Sequence, residues 1–173
     1  MTAVVVMGVA GSGKSTVGRA VADRLGAAFV EGDDHHSPEA LAAMAAGRAL
    51  TDEQRIPWIA RLRHELVVHG SHGVVLACSA LTARSRSQLT EGIDDVRLVW
   101  LTGDPELIAT RLRQRTGHVV GPALLPSQLA ALESPHDGLR LDVADPVARL
   151  VDRIVAWVNA PDGDYSSPPS SSS

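Results

Sequence analysis

Lys14 is the only lysine in 173 residues, and arginine supplies the other fifteen cationic side chains. It stands in Gly8-Val9-Ala10-Gly11-Ser12-Gly13-Lys14-Ser15, a GxxxxGK[ST] pattern with a mechanical meaning. Glycines let successive backbone N–H groups turn inward around phosphate oxygens, the lysine adds a compact cation at the β- and γ-phosphates, and the following hydroxyl ligates magnesium. The predicted chemistry is nucleotide-phosphate binding, with Lys14 on the phosphates and Ser15 on the metal. A chance glycine-rich turn is the alternative, and the context weighs against it. Ala3-Val4-Val5-Val6-Met7 is a continuous apolar run of the kind that fills a buried parallel strand. Ser15 to Leu25 carries Val17, Ala20, Val21 and Leu25 on one side of a predicted helix. Strand, loop and helix thus follow in the order that aims a helix N-terminus at an anion.

A second stretch, in which Glu31 is followed by Gly32-Asp33-Asp34-His35-His36, places the two carboxylates of Asp33 and Asp34 and two imidazoles just past the next apolar run. Phosphoryl transfer needs a carboxylate to orient, and in part deprotonate, the attacking hydroxyl, and Asp33 is the candidate. His and Asp are also metal ligands, but contiguous residues in one short turn do not easily converge on one ion. Asp34 and His35 read as exposed loop residues. Arg55 falls in the first turn of a helix beginning at Asp52, where a cation opposes the helix dipole. It either turns its planar fork toward an acceptor or is a solvated surface arginine. Ser79, at the end of a further apolar run, can hydrogen-bond a ligand, whereas its neighbour Cys78 reads as a buried structural thiol with no activating base nearby. Arg84 and Arg86 either reach the acceptor or are solvated. In Arg111-Leu112-Arg113-Gln114-Arg115-Thr116-Gly117-His118 the cations suit a helix C-terminus. The glycine-proline segment after them also predicts a lid over about 115–126 that excludes water and brings Arg115 to the transferring group.

These residues need a scaffold, and the apolar pattern supplies one. Four more strands are predicted at Ala27 to Val30, Gly73 to Cys78, Val96 to Leu101 and, more weakly, Leu139 to Val143. Helical patterns fill the gaps: Glu39 to Ala46, Asp52 to His69, Arg84 to Glu91, Asp104 to Arg115, Pro126 to Leu132 and Pro146 to Val158. Such alternation predicts a mainly five-stranded parallel sheet between two helical layers, with ligands at the carboxyl ends of the strands. The length fits a single domain over residues 1–159, and 45% hydrophobic content is ample for its core. Residues 160–173, rich in Pro and Ser, are expected to be disordered and dispensable. One cysteine, no charged-then-apolar leader and no long apolar segment predict a cytoplasmic protein away from membranes. A net charge of −4 gives no broad basic surface and argues against nucleic acid as a partner.

At this point the residues resemble a specific family, the bacterial-type gluconokinases, small P-loop kinases related in fold to the shikimate and adenylate kinases. The resemblance rests on Gly8 to Ser15, Gly32-Asp33-x-x-His36, Met44-x-x-Gly47 and Leu50-x-Asp52-x-x-Arg55-x-Pro57-Trp58. It continues through Cys78-Ser79-Ala80-Leu81, Arg86, Leu101-x-Gly103, Arg111-Leu112-x-x-Arg115-x-Gly117-His118 and Leu124-Leu125-x-Ser127-Gln128. It implies a P-loop NTPase fold of the three-layer α/β/α kind and transfer of the γ-phosphoryl group of ATP to the 6-hydroxyl of D-gluconate, with magnesium. By matching position, it implies Lys14, Asp33 and Arg115 in catalysis, and the loop residues with Thr16 and Arg111 on ATP. His36, Arg55, Ser79, Arg86 and His118 then fall on the substrate. A homodimer is common in that family. The chain departs from the family pattern at Ala40 and Ala43, where Asn and Lys are usual, and at Thr82 and Ser85, in place of Lys and Tyr. Gln54 replaces an acidic residue and Ala49 a proline.

Rival readings are a sibling kinase for shikimate or another polyol acid, a GTP-binding switch, and a non-catalytic nucleotide-binding regulator. The switch needs an [NT]KxD stretch to read guanine, and the only lysine is Lys14. The regulator has no use for Asp33, Arg55 and Arg115.

Overall fold

The computed structural model describes residues 2–114 and 121–160. Five strands, β1 (Ala3–Met7), β2 (Ala28–Glu31), β3 (Val74–Cys78), β4 (Val96–Thr102) and β5 (Leu139–Asp142), pair in the order β2-β3-β1-β4-β5. Every ladder is parallel. Seven α-helices are described: α1 (Lys14–Leu25), α2 (Pro38–Ala45), α3 (Asp52–His69), α4 (Ala83–Thr90), α5 (Pro105–Gln114), α6 (Leu125–Ala131) and α7 (Val147–Asn159). All five strands and all seven helices stand within about two residues of their sequence-predicted positions, as expected where apolar periodicity is strong.

The two-residue period of β1 explains the layers. Val4 and Val6 point into a core shared with Val17 and Val21 of α1, Ile108 of α5, and Leu150 and Ile154 of α7. Ala3, Val5 and Met7 point into the opposite core, with Trp58, Ile59, Leu62 and Leu66 of α3 and Leu89 of α4. A strand buried on both faces has no solvent side, so its sequence is apolar at every position. Helices on both faces of a parallel sheet make the three-layer α/β/α P-loop architecture that the sequence predicts.

A smaller apolar cluster, Met44, Leu50 and Leu124, lies apart from both cores and gathers Ala40, Leu41 and Ala43 around it. It ties α2 to the short 3₁₀ turn Pro122–Leu124 that leads into α6. Ala40 and Ala43, where the resembled family carries polar residues, therefore pack against apolar neighbours here. Gln54, another departure, completes a capping box at the start of α3: its N–H donates to Thr51 Oγ1 at 3.3 Å, and its Oε1 accepts from the Thr51 N–H at 2.9 Å. Among the described residues no helix is long and apolar enough to cross a membrane.

Candidate active site

The loop after β1 opens at the carboxyl edge of the sheet, between β3 and β4. Gly13 sits left-handed, at φ 90°, as the N-cap of α1, so the chain turns into the helix with its first N–H groups directed outward. Lys14 Nζ donates to the Val9 carbonyl at 3.0 Å, folding the ammonium back over its own loop. Lys14, Ser15, Ala10 and Gly11 line a small cleft of about 60 Å³, and Asp33, His36, Ser79 and Gln128 close its other side.

Asp33 arrives there through Gly32. A Cβ at Gly32 would stand 2.6 Å from the Ala77 carbonyl oxygen and 2.8 Å from Cys78 Cβ, so only glycine lets β2 run this close to β3 as it ends. The 3₁₀ turn Gly32–His35 then carries the Asp33 carboxylate to the loop cleft. Gly32→Ala forces the buried backbone of β3 to move, and a loss of about 1–3 kcal/mol is expected, the usual cost of overpacking. A urea midpoint lowered at unchanged m-value checks it.

His36 follows the turn and stacks flat on Trp58, with ring centroids 4.5 Å apart and 7° between planes. Trp58 is itself pinned by its Nε1–H, which donates to the Gly32 carbonyl at 2.7 Å. One indole therefore holds both the turn that bears Asp33 and the ring of His36. Burial pushes the His36 pKa below its usual value; Asp33 opposes the shift, while the Arg61 and Arg55 guanidinium groups and His35 add to it. The ring is neutral near pH 7 and offers a donor and an acceptor at once, and its Nδ1 has no partner among the described residues. A lowered folded-state pKa means that the unfolded chain takes up the proton first. The stability tied to His36 is thus complete above about pH 6.5 and lost as the pH falls through the lower, folded value. We expect the melting temperature to fall between pH ~7 and ~5 more steeply for the parent protein than for His36→Gln, as differential scanning fluorimetry would read.

Beyond His36 the loop cleft continues into a larger one of about 290 Å³, lined by Arg55, Asp52, Trp58, Met44, Leu50 and Leu124. His36, Met44, Ser79 and Gln128 border both. Arg55 Nη1 meets Asp52 Oδ1 at 3.2 Å, which places its guanidinium at the cleft mouth and satisfies part of it there. Ser79 directly follows β3 and precedes Ala80, a buried alanine held left-handed at φ 40°. Backbone strain of this kind persists only where surrounding structure enforces it. Here Arg86 Nη1 donates to the Ala80 and Leu81 carbonyls at 3.1 and 3.0 Å, and the Glu133 N–H donates to the Leu81 carbonyl at 2.9 Å.

Arg86 sits apart from the other described residues expected on the substrate. Expected on the substrate, it lines neither cleft and instead braces the turn that presents Ser79. Thr82 and Ser85 likewise serve α4: the Ser85 N–H donates to Thr82 Oγ1 at 3.1 Å, and the two hydroxyls pair at 2.9 Å. Thr16, expected on ATP, is exposed on α1 and borders neither cleft. Arg111, expected on ATP, donates from Nη1 to the Val143 carbonyl at 2.7 Å, tying α5 to the turn after β5. Gly8, Val9 and Ser12 form the buried floor of the loop, and the Ser12 hydroxyl has no partner among the described residues. Arg115, His118 and the first half of the expected lid, residues 115–120, lie outside the described residues. Cys78 is fully buried, and burial pushes its thiol up to about 12, in keeping with an inert structural role.

Sequence reasoning gave no role to Gln128. Its Oε1 accepts from the Ala10 N–H at 2.6 Å, across 118 residues of chain. No local pattern in α6 signals that contact. Among the described residues no three His, Cys, Asp or Glu side chains cluster to hold a metal, and the small cleft is lined by the side-chain oxygens of Ser15, Asp33, Ser79 and Gln128.

A family model described as an AAA domain matches residues 4–135. Thermosensitive gluconokinase from Escherichia coli K12 is 38% identical over 156 residues, spanning 86% of this chain and 83% of that protein. A gluconokinase from Gluconobacter oxydans 621H is 44% identical over 149 residues, 84% of this chain and 80% of the relative. Among solved structures, a gluconokinase from Sinorhizobium meliloti 1021 superposes with a TM-score of 0.81 at 40% identity, covering 91% of each chain.

Proposed function

Because the chain carries an AAA domain and belongs to the gluconokinase family, we propose that it transfers the γ-phosphoryl group of ATP to the 6-hydroxyl of D-gluconate, giving 6-phosphogluconate and ADP. The observation that supports this most is the continuity of the two clefts. Lys14, Ser15 and Asp33 share the smaller one, and it opens past His36 and Ser79 into the one that holds Arg55. A carboxylated polyol laid along that path puts its acid end toward the Arg55 fork and its far hydroxyl beside Asp33. Arg55 recognises the carboxylate, and His36 and Ser79 hydrogen-bond hydroxyls in between. Asp33 orients the 6-hydroxyl and takes its proton as oxygen attacks the γ-phosphorus. Lys14 and the loop amides stabilise the phosphate oxygens as the bond to the ADP oxygen breaks, and Arg115 supplies further charge from the lid. Ser15 Oγ and phosphate oxygens form a hard-oxygen donor set that suits magnesium, which supplies charge neutralisation at the β- and γ-phosphates when bound. The same reading puts the reaction in the cytoplasm, where ATP is available.

A coupled ADP-release assay with magnesium-ATP against D-gluconate, shikimate and a panel of sugar acids tests this. Turnover with gluconate far above every other acid is the expected outcome. Preference for shikimate or another acid would move the protein to a sibling activity, and silence across the panel would favour the non-catalytic regulator.

A further inference from the structure

Gln128 is the side chain that borders both clefts from the α6 side, and its orientation is fixed by chemistry. Its partner at 2.6 Å is the Ala10 N–H, a donor, so the atom that faces the loop must be the amide oxygen. The amide nitrogen then lies on the other branch of the carboxamide, with two N–H donors that bond to no described residue. Ala10 belongs to the loop whose backbone amides surround phosphate, and one of those amides is thus held by α6.

The helix that presents Gln128 is itself tied to both halves of the site. Leu125 packs in the core beneath α1 and α5, while Leu124, one residue earlier, packs on Met44 and Leu50 beside the larger cleft. Ser127 Oγ donates to the Leu124 carbonyl at 2.8 Å and locks the start of the helix. A shift of the acceptor-side cluster therefore reaches the loop through a short, rigid path.

We propose that Gln128 couples the two substrates: its oxygen buttresses the phosphate loop at Ala10, and its amide N–H groups donate to a hydroxyl of the bound polyol acid. This rests on the kinase reading above and adds to it a residue that contacts the acceptor and positions the loop. A polyol hydroxyl suits these donors because its oxygen accepts while its own proton stays free for His36 or Asp33. Coupling through one side chain is reciprocal, so gluconate tightens ADP binding by the factor by which ADP tightens gluconate binding.

The test is Gln128→Met, which keeps length and helix propensity and removes both the oxygen and the donors. Titration calorimetry gives the ADP dissociation constant with and without saturating D-gluconate, steady-state kinetics give both KM values, and thermal melting verifies folding. The parent protein should show gluconate tightening ADP about fivefold or more, and in Gln128→Met that factor should fall to about one. The gluconate KM should rise roughly tenfold, as expected when hydrogen bonds in a closed site are removed, at a melting temperature close to the parent's. A folded variant with the parent's coupling factor and gluconate KM overturns the proposal. A parent protein that ignores gluconate overturns the gluconate reading instead. The same comparison is then made with the acid that the panel identifies, where retained coupling still counts against Gln128 and lost coupling for it.

Discussion

Replacing Lys14 with methionine is expected to lower kcat/KM for ATP by about a thousandfold, the upper range for removing one preorganised charge from a transition state. The chain has no second lysine that could swing in, so nothing replaces the lost ammonium. Arginine should not rescue the activity. The ammonium is folded over the loop, 3.0 Å from the Val9 carbonyl, and a bulkier planar guanidinium does not reproduce that compact point charge. The folded state should tolerate the change, since Lys14 is only half-buried and α1 is anchored by Val17 and Val21. Turnover and melting temperature measured together separate the two effects: a Lys14→Met protein that melts like the parent yet keeps a tenth or more of its activity would remove Lys14 from the chemistry. Amine-directed labelling offers a second reading, because Lys14 carries the only side-chain amine and ADP should protect it.

The route from sequence to site was most legible where a residue's job is set by its immediate neighbours. An apolar run such as Ala3–Met7 has one stable environment, the middle of a parallel sheet, and the loop after it has one geometry that its glycines permit. Asp33 was readable for the same reason, since a carboxylate just past a carboxyl strand end in this fold must face the crevice. Arg86 was not. Its position one turn into α4 is compatible with the cleft or with the helix's own flank, and in the fold its guanidinium meets the Ala80 and Leu81 carbonyls beside Ala80's left-handed backbone. No sequence pattern announces an alanine at φ 40°. The Trp58–Gly32 and Gln128–Ala10 bonds were hidden for a different reason, because they join residues 26 and 118 positions apart and only the packed sheet brings them together. The same holds for Ala40 and Ala43: read alone they look like lost polar contacts, and in the fold they cover Met44, Leu50 and Leu124.

Asp33→Asn should lower kcat by roughly a hundredfold to ten-thousandfold, the range for loss of a positioned general base, with KM for ATP little changed. The substitution is nearly isosteric, and Asp33 is exposed in a turn whose shape is held by Gly32 against β3 and by the Trp58 indole, so the backbone has no reason to move. An amide can still accept a hydrogen bond from the acceptor hydroxyl through its oxygen, and it cannot take the proton. The size of the loss therefore divides the two jobs assigned to this carboxylate. If orientation dominates, as a loose transition state favours, Asp33→Asn retains more activity than Asp33→Ala, and the gap between them measures the oriented hydrogen bond. If proton transfer dominates, the two variants fall together. Steady-state turnover of both variants, with ADP affinity as the check on the loop, decides between these cases. A variant with unaltered kcat would place the base elsewhere, and His36, neutral and bordering the same cleft, is the group to which the role would pass.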